Sequence, residues 1–126
     1  LLFLRKLKMT KVKKIIKDLT IDIRVTYNIR KEAHLEGADF RFDNLEKVDL
    51  EGAFLGSANF FEANLRGANL RGAKVMGTDF SDSDLCGADL RGIEYDEETR
   101  FDNVKTDGMI IDDGYGNEYV LGRLKK

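Results

Sequence analysis

Few side chains in this sequence combine the type and the spacing that bond chemistry needs. The one histidine is His34 and the one cysteine is Cys86. Neither has a His or Cys neighbour at metal-ligand spacing, so no zinc site is expected. The sequence shows no serine or cysteine nucleophile with a recognisable base, no phosphate-cradling glycine loop and no dinucleotide fingerprint. Asp112, Asp113, Asn117 and Glu118 bring oxygen ligands together, but their spacing does not match an EF-hand loop, and a solvated turn is expected instead. Asp79, Asp84 and Asp89 recur every five residues. A periodic scaffold spreads them over separate faces and does not pair two for acid–base work. The expectation is no catalytic residue, no metal and no cofactor. What remains is binding: Phe42, Phe54, Phe61 and Met76 are large apolar groups at positions that should face solvent, and they are the candidate partner-binding residues.

The elements that carry these residues follow from one period. From Ala33 the chain reads in thirteen consecutive fives, beginning AHLEG, ADFRF, DNLEK, VDLEG and ending at IEYDE. The third residue of each five is Leu35, Phe40, Leu45, Leu50, Leu55, Phe60, Leu65, Leu70, Val75, Phe80, Leu85, Leu90 or Tyr95. The first is Ala in eight of them; the second is mostly Asp or Asn and the fifth is often Gly. A period of five fits neither the 3.6 of a helix nor the 2.0 of a strand. It fits a square coil in which each five makes a short extended segment and a corner. First and third residues then point inward, and the others point out. Coils stack about 4.8 Å apart, as neighbouring strands do.

A coil of four fives places residues i and i+20 above one another. Phe40, Phe60 and Phe80 then form one interior column, and Leu45, Leu65 and Leu85 another. The phenylalanines were not needed to find the period, so their segregation supports the square coil independently. Like rings and like aliphatic chains pack well on their own kind. Ala at the first position lets the walls approach; larger groups there would overpack the core. Asp43 departs from the inward pattern, and a wet or capped first coil is the expectation for it. On the outside, Glu51 lies below Arg71 and Arg91, and Glu46 below Arg66, which helps register by a few tenths of a kcal/mol.

The pattern of Ala, then Asp or Asn, then Leu or Phe, then two variable residues resembles the pentapeptide-repeat family. The resemblance covers roughly half the chain. It implies an all-β solenoid, a right-handed quadrilateral β-helix, here of about three and a half coils. The expected division is 1–32 as an amino-terminal cap, 33–101 as the β-helix and 102–126 as a carboxy-terminal hairpin cap.

The flanks carry the charge asymmetry. Net charge is −2, but residues 1–32 hold ten basic against three acidic groups (+7) and residues 33–98 hold six against fifteen (−9). Residues 1–19 place Val12, Ile15, Ile16 and Leu19 on one helical face, with Lys8, Lys11, Lys13, Lys14 and Lys17 around the rest. Such a helix is expected to cover the open end of the solenoid; binding to a membrane surface or nucleic acid is the alternative. Residues 20–30 alternate as a half-buried strand, Ile21, Ile23, Val25, Tyr27 and Ile29 on one side. Past Tyr95 the register slips, and one inserted residue near Glu97–Glu98 would set Phe101 on the Phe40, Phe60, Phe80 column. Met109–Ile111 and Glu118–Leu121 read as a hairpin around Asp-Gly-Tyr-Gly-Asn. The absence of proline suits a backbone whose donors all feed a ladder. One cysteine makes no intrachain disulfide, and no long apolar run suggests a leader or span, so a cytoplasmic protein is expected, with Met9 as an alternative start.

The leading functional expectation is a non-enzymatic protein-binding or scaffold module, with self-association an option. Resemblance to the gyrase-protecting branch of the family implies an alternative, an acidic rod that mimics DNA. A rod of roughly 20 Å is short against the about 34 Å of one DNA turn. Membrane-surface association through the basic amino terminus is the second alternative.

Overall fold

The computed structural model describes residues 29–122. The expected amino-terminal helix (1–19) and most of the expected strand (20–30) lie outside the described residues. From Ile29 onward the chain climbs as a β-solenoid. Parallel bridges join the second residue of each five to the residue one turn above. Four walls result. The first runs through His34, Phe54, Lys74 and Glu94, the second through Asp39, Asn59, Asp79 and Arg100. The third runs through Asn44, Asn64, Asp84 and Lys105, and the fourth through Asp49, Asn69, Asp89 and Ile110.

The ladder has a fixed grammar. The third residue of a five donates its N–H upward, as Leu55 does to the Lys74 carbonyl at 2.8 Å, and the second donates downward, as Lys74 does to the Ala53 carbonyl at 2.9 Å. Each corner is a tight turn closed from the next first residue to the previous third one, as from Ala58 N–H to the Leu55 carbonyl at 2.9 Å. The last corner residue takes a positive φ, between 54° and 77° along the ladder, which is what a type II turn asks of its second central residue.

The interior is filled from the two inward positions. Leu35, Phe40, Leu50, Leu55, Phe60, Leu65, Leu70, Val75, Phe80, Leu85 and Leu90 are buried, with the first-position alanines between them. Leu45 is partly buried and packs against this core. The Phe40, Phe60 and Phe80 rings stack at 4.9 and 5.2 Å. Thr78, buried at a first position, donates its hydroxyl to the Leu55 carbonyl at 2.7 Å.

The register slip is resolved within 95–99. Above it the bridges join i to i+21, beginning with Asp79 to Arg100, and Phe101 stacks on Phe80 at 5.1 Å. The inserted length is held by Asp96, which accepts from the Gly77 N–H below at 3.0 Å and from Thr99 N–H at 3.1 Å, while the Thr99 hydroxyl donates to the Val75 carbonyl. These backbone bonds keep the Asp96 carboxyl below the usual carboxylate range, the one to Gly77 most of all.

Two sequence expectations need correction here. Tyr95, expected inside the tube, is 68% exposed. Its column has no rung above it among the described residues, and the top of the tube opens there as an apolar cavity of about 370 Å³ lined by Tyr95, Phe101, Val104 and Met109. The bridged ladder also runs past 101. Lys105 and Ile110 pair with Asp84 and Asp89, so the fives from Val104 and Met109 continue the walls although they lack the Ala, Asx, Leu signature. Strand β1 (Ile110–Asp112) is then both the top of the fourth wall and one arm of an antiparallel hairpin with β2 (Glu118–Val120). All three β2 side chains are exposed. Among the described residues no helix is long and apolar enough to cross a membrane.

Candidate functional site

The outside of the tube is shaped by the second residue of each five. Its carboxylate or amide oxygen accepts the N–H two residues on, at the entrance to the corner. Asn59 accepts from Phe61 at 2.9 Å, Asp79 from Ser81 at 2.8 Å, Asn64 from Arg66 at 3.1 Å and Asp89 from Arg91 at 3.1 Å. This is the Asx turn, and it is why Asp or Asn recurs at that position. The same side chains reach along the wall, as Asn64 does in donating to Asn44 at 3.1 Å and Asn69 to Asp49 at 3.2 Å. Treating the second residue as merely solvent-facing misses this role.

The first wall is the exception on every rung. His34, Phe54, Lys74 and Glu94 replace the Asx residue, and they stack on one another. The His34 and Phe54 rings lie parallel at 4.5 Å, the Lys74 ammonium sits 4.6 Å from the Phe54 ring centre, and Lys74 pairs with Glu94 at 3.9 Å. The four exceptions are spaced by twenty in the sequence, so the signal was present in the chain itself. Phe54 is therefore held between a ring and a cation; it is not an isolated apolar group.

The other expected partner residues divide between two corners. Met76, 39% exposed, stands at the corner between the first and second walls. Phe42 and Phe61 meet at the corner between the second and third walls, edge to face at 5.8 Å. Phe42 is 63% exposed and adopts φ of 66°. A bulky residue in that region is an outlier.

The corner that holds this pair differs from the other three. The corner after the first wall has Gly37, Ser57 and Gly77; that after the third has Lys47, Gly67, Gly87 and Gly108; that after the fourth has Glu32, Gly52, Gly72 and Gly92. After the second wall the positive-φ residues are Phe42, Glu62, Asp82 and Asn103, with no glycine on any rung. Glu62 and Asp82 are exposed and form no ion pair among the described residues. Ser81 is buried beneath them, and its hydroxyl has no hydrogen-bond partner among the described residues. This corner presents two rings at its lower end and two carboxylates above.

Several charged groups elsewhere satisfy each other. Glu51 pairs with Lys31 at 3.0 Å, and Arg91 with Asp89 and Glu118 at 2.6 and 2.7 Å. Arg66 turns upward to Asp84 at 3.1 Å and not down to Glu46. Partial burial opposes ionisation of Asp84, but hydrogen bonds from the Cys86 thiol and amide and from Arg66 outweigh it and hold its carboxyl below the usual range. Burial, then the hydrogen bond to Asp84, pushes the Cys86 thiol up, which makes it a poor nucleophile. Among the described residues no group of three or more His, Cys, Asp or Glu is arranged to hold a metal.

A family model described as pentapeptide repeats matches residues 44–75 and 55–92, in eight copies. None of the curated proteins matches the chain. The solved structures similar to it include three pentapeptide repeat proteins. A pentapeptide repeat protein of the Arabidopsis thaliana thylakoid lumen is 28% identical, with a TM-score of 0.35, over 62% of this chain and 64% of its own. HetL, a pentapeptide repeat protein involved in heterocyst differentiation regulation in the cyanobacterium Nostoc, is 26% identical, with a TM-score of 0.38, over 67% of this chain and 40% of its own. A pentapeptide repeat protein of the cyanobacterium Cyanothece is 25% identical, with a TM-score of 0.35, over 76% of this chain and 66% of its own. The chain thus spans 40% to 66% of the length of these proteins. Residues 44–92 thus carry the repeats of the pentapeptide-repeat family model.

Proposed function

We propose that this chain is a non-enzymatic binding module whose recognition edge is the corner bearing Phe42 and Phe61. The tube supplies rigidity. Its backbone donors are committed to the ladder, its interior to packing, and most of its second-position side chains to shaping corners. Specificity is then left to the side chains that the fold does not require. The observation that carries the reading is Phe42 itself, an exposed ring held at a positive φ where glycine serves most rungs of the other three corners. Side chains kept in a strained backbone region cluster at functional sites, and aromatic anchors dominate binding energy at interfaces. The partner is a protein. A right-handed sense for the solenoid, with a cap from the hairpin, belongs to the same proposal.

The test is the Phe42→Ser/Phe61→Ser variant of the full chain, compared with the parent in affinity capture from the native source. The far-ultraviolet spectrum is expected to be unchanged and partner recovery to fall at least about tenfold, as for the loss of a binding hot spot. Unchanged recovery, or no captured protein with either chain, contradicts the proposal.

A further inference from the structure

The Phe42–Phe61 edge is continuous with a second feature. Directly above Phe42 on the same corner stand Glu62 and Asp82, one rung apart. Both are exposed and neither is neutralised by a described residue. An occupant of this edge must bring an apolar strip for the rings and a row of cations for the carboxylates, along a line that follows the solenoid axis.

Resting on the reading of Phe42 and Phe61 as a recognition edge, we propose that its resident occupant is the chain's own residues 1–19. Three observations point there. The first is charge. Residues 1–19 hold seven basic groups against one acidic, while the ladder they adjoin is acidic. The second is pattern. At helical spacing Val12, Ile15, Ile16 and Leu19 form an apolar strip, with Lys11, Lys14 and other cations beside it. The third is reach. Residues 20–28 connect the segment to Ile29, and nine residues span up to about 30 Å, the height of about six rungs at roughly 4.8 Å each. The basic segment covers the rings and neutralises Glu62 and Asp82, and an outside partner has to displace it. Binding of that partner is therefore regulated by ionic strength through an internal competitor.

Carbodiimide cross-linking of the full chain, mapped by mass spectrometry, tests this. Zero-length links are expected from lysines of residues 8–17 to Glu62 and Asp82, and about tenfold fewer at high salt, where exposed charges are screened. Glu62→Gln/Asp82→Asn removes them, and Glu46→Gln on the next corner leaves them in place. In a mixture of isotopically labelled and unlabelled chains the links stay within one chain. Links between chains assign the edge to a second copy and overturn the proposal. Absence of links, or links to other walls, also overturns it. If links are absent while Phe42→Ser/Phe61→Ser still abolishes capture, the internal occupant is wrong and the recognition edge stands. If links form but capture is indifferent to that variant, the recognition edge is wrong and the internal contact stands.

Discussion

The third wall is bounded by two corners that share a backbone and differ in their side chains. Both bend the backbone through the same positive-φ residue, from 54° to 66° on the Phe42 side and from 59° to 77° on the Lys47 side. The Lys47 side uses glycine on three of its four rungs; the Phe42 side uses none. The fold asks the same of both corners, so the side chains on the Phe42 side are not there to make the turn. A non-glycine residue in the left-handed region costs roughly 1–2 kcal/mol, with Asn and Asp tolerated best. Asp82 and Asn103 are thus cheap choices, while Phe42 and Glu62 are not. The comparison separates what holds the tube from what the tube presents.

The glycine corner is the place to break the comparison most severely. Gly87 sits at φ of 70° with the backbone of Gly67 3.8 Å from where a Cβ would lie. Gly87→Val is expected to destabilise by about 2 kcal/mol, because a β-branched residue meets the left-handed cost at its upper end. Urea unfolding checks it; a loss below a few tenths would mean that glycine is incidental at these corners.

A smaller effect of opposite sign comes from the wall between the corners. Ser83 is buried at a first position, and its hydroxyl has no partner among the described residues, whereas that of Thr78 donates to Leu55. Ser83→Ala is expected to stabilise by about 1 kcal/mol, the cost of an unsatisfied buried hydroxyl. A decrease in the unfolding midpoint would show that Ser83 has a partner after all.

Much of the tube was legible because burial and the five-residue period are one fact seen twice. Leu or Phe every fifth residue has only one inside to share, and the phenylalanine column even located the inserted residue, since Phe101 lies over Phe80. Tyr95 was misplaced because burial at a tube end depends on the rung above, which periodicity does not report. The rungs through Lys105 and Ile110 were missed because their fives carry Val104, Thr106, Met109 and Ile111 where the repeat has Ala and Leu. The site was less legible. Phe42, Phe54, Phe61 and Met76 stand out by type, but only the geometry shows Phe54 stacked between His34 and Lys74 and Phe42 paired with Phe61. The turn-forming role of the second-position Asp and Asn oxygens is also a matter of geometry; composition alone assigns those groups to solvent.

The most direct measurement is the urea stability of the full chain, at high salt so that contacts of the basic segment are screened, with the unusual corner rebuilt in the image of its neighbour, as Phe42→Gly/Glu62→Gly/Asp82→Gly. If these side chains serve recognition, the midpoint rises, by about 1 kcal/mol in total after the lost ring contact and the added freedom of the unfolded chain are set against the relieved strain, and the slope stays the same. A clear fall in the midpoint would contradict the account, because it would show that the three side chains hold the tube together.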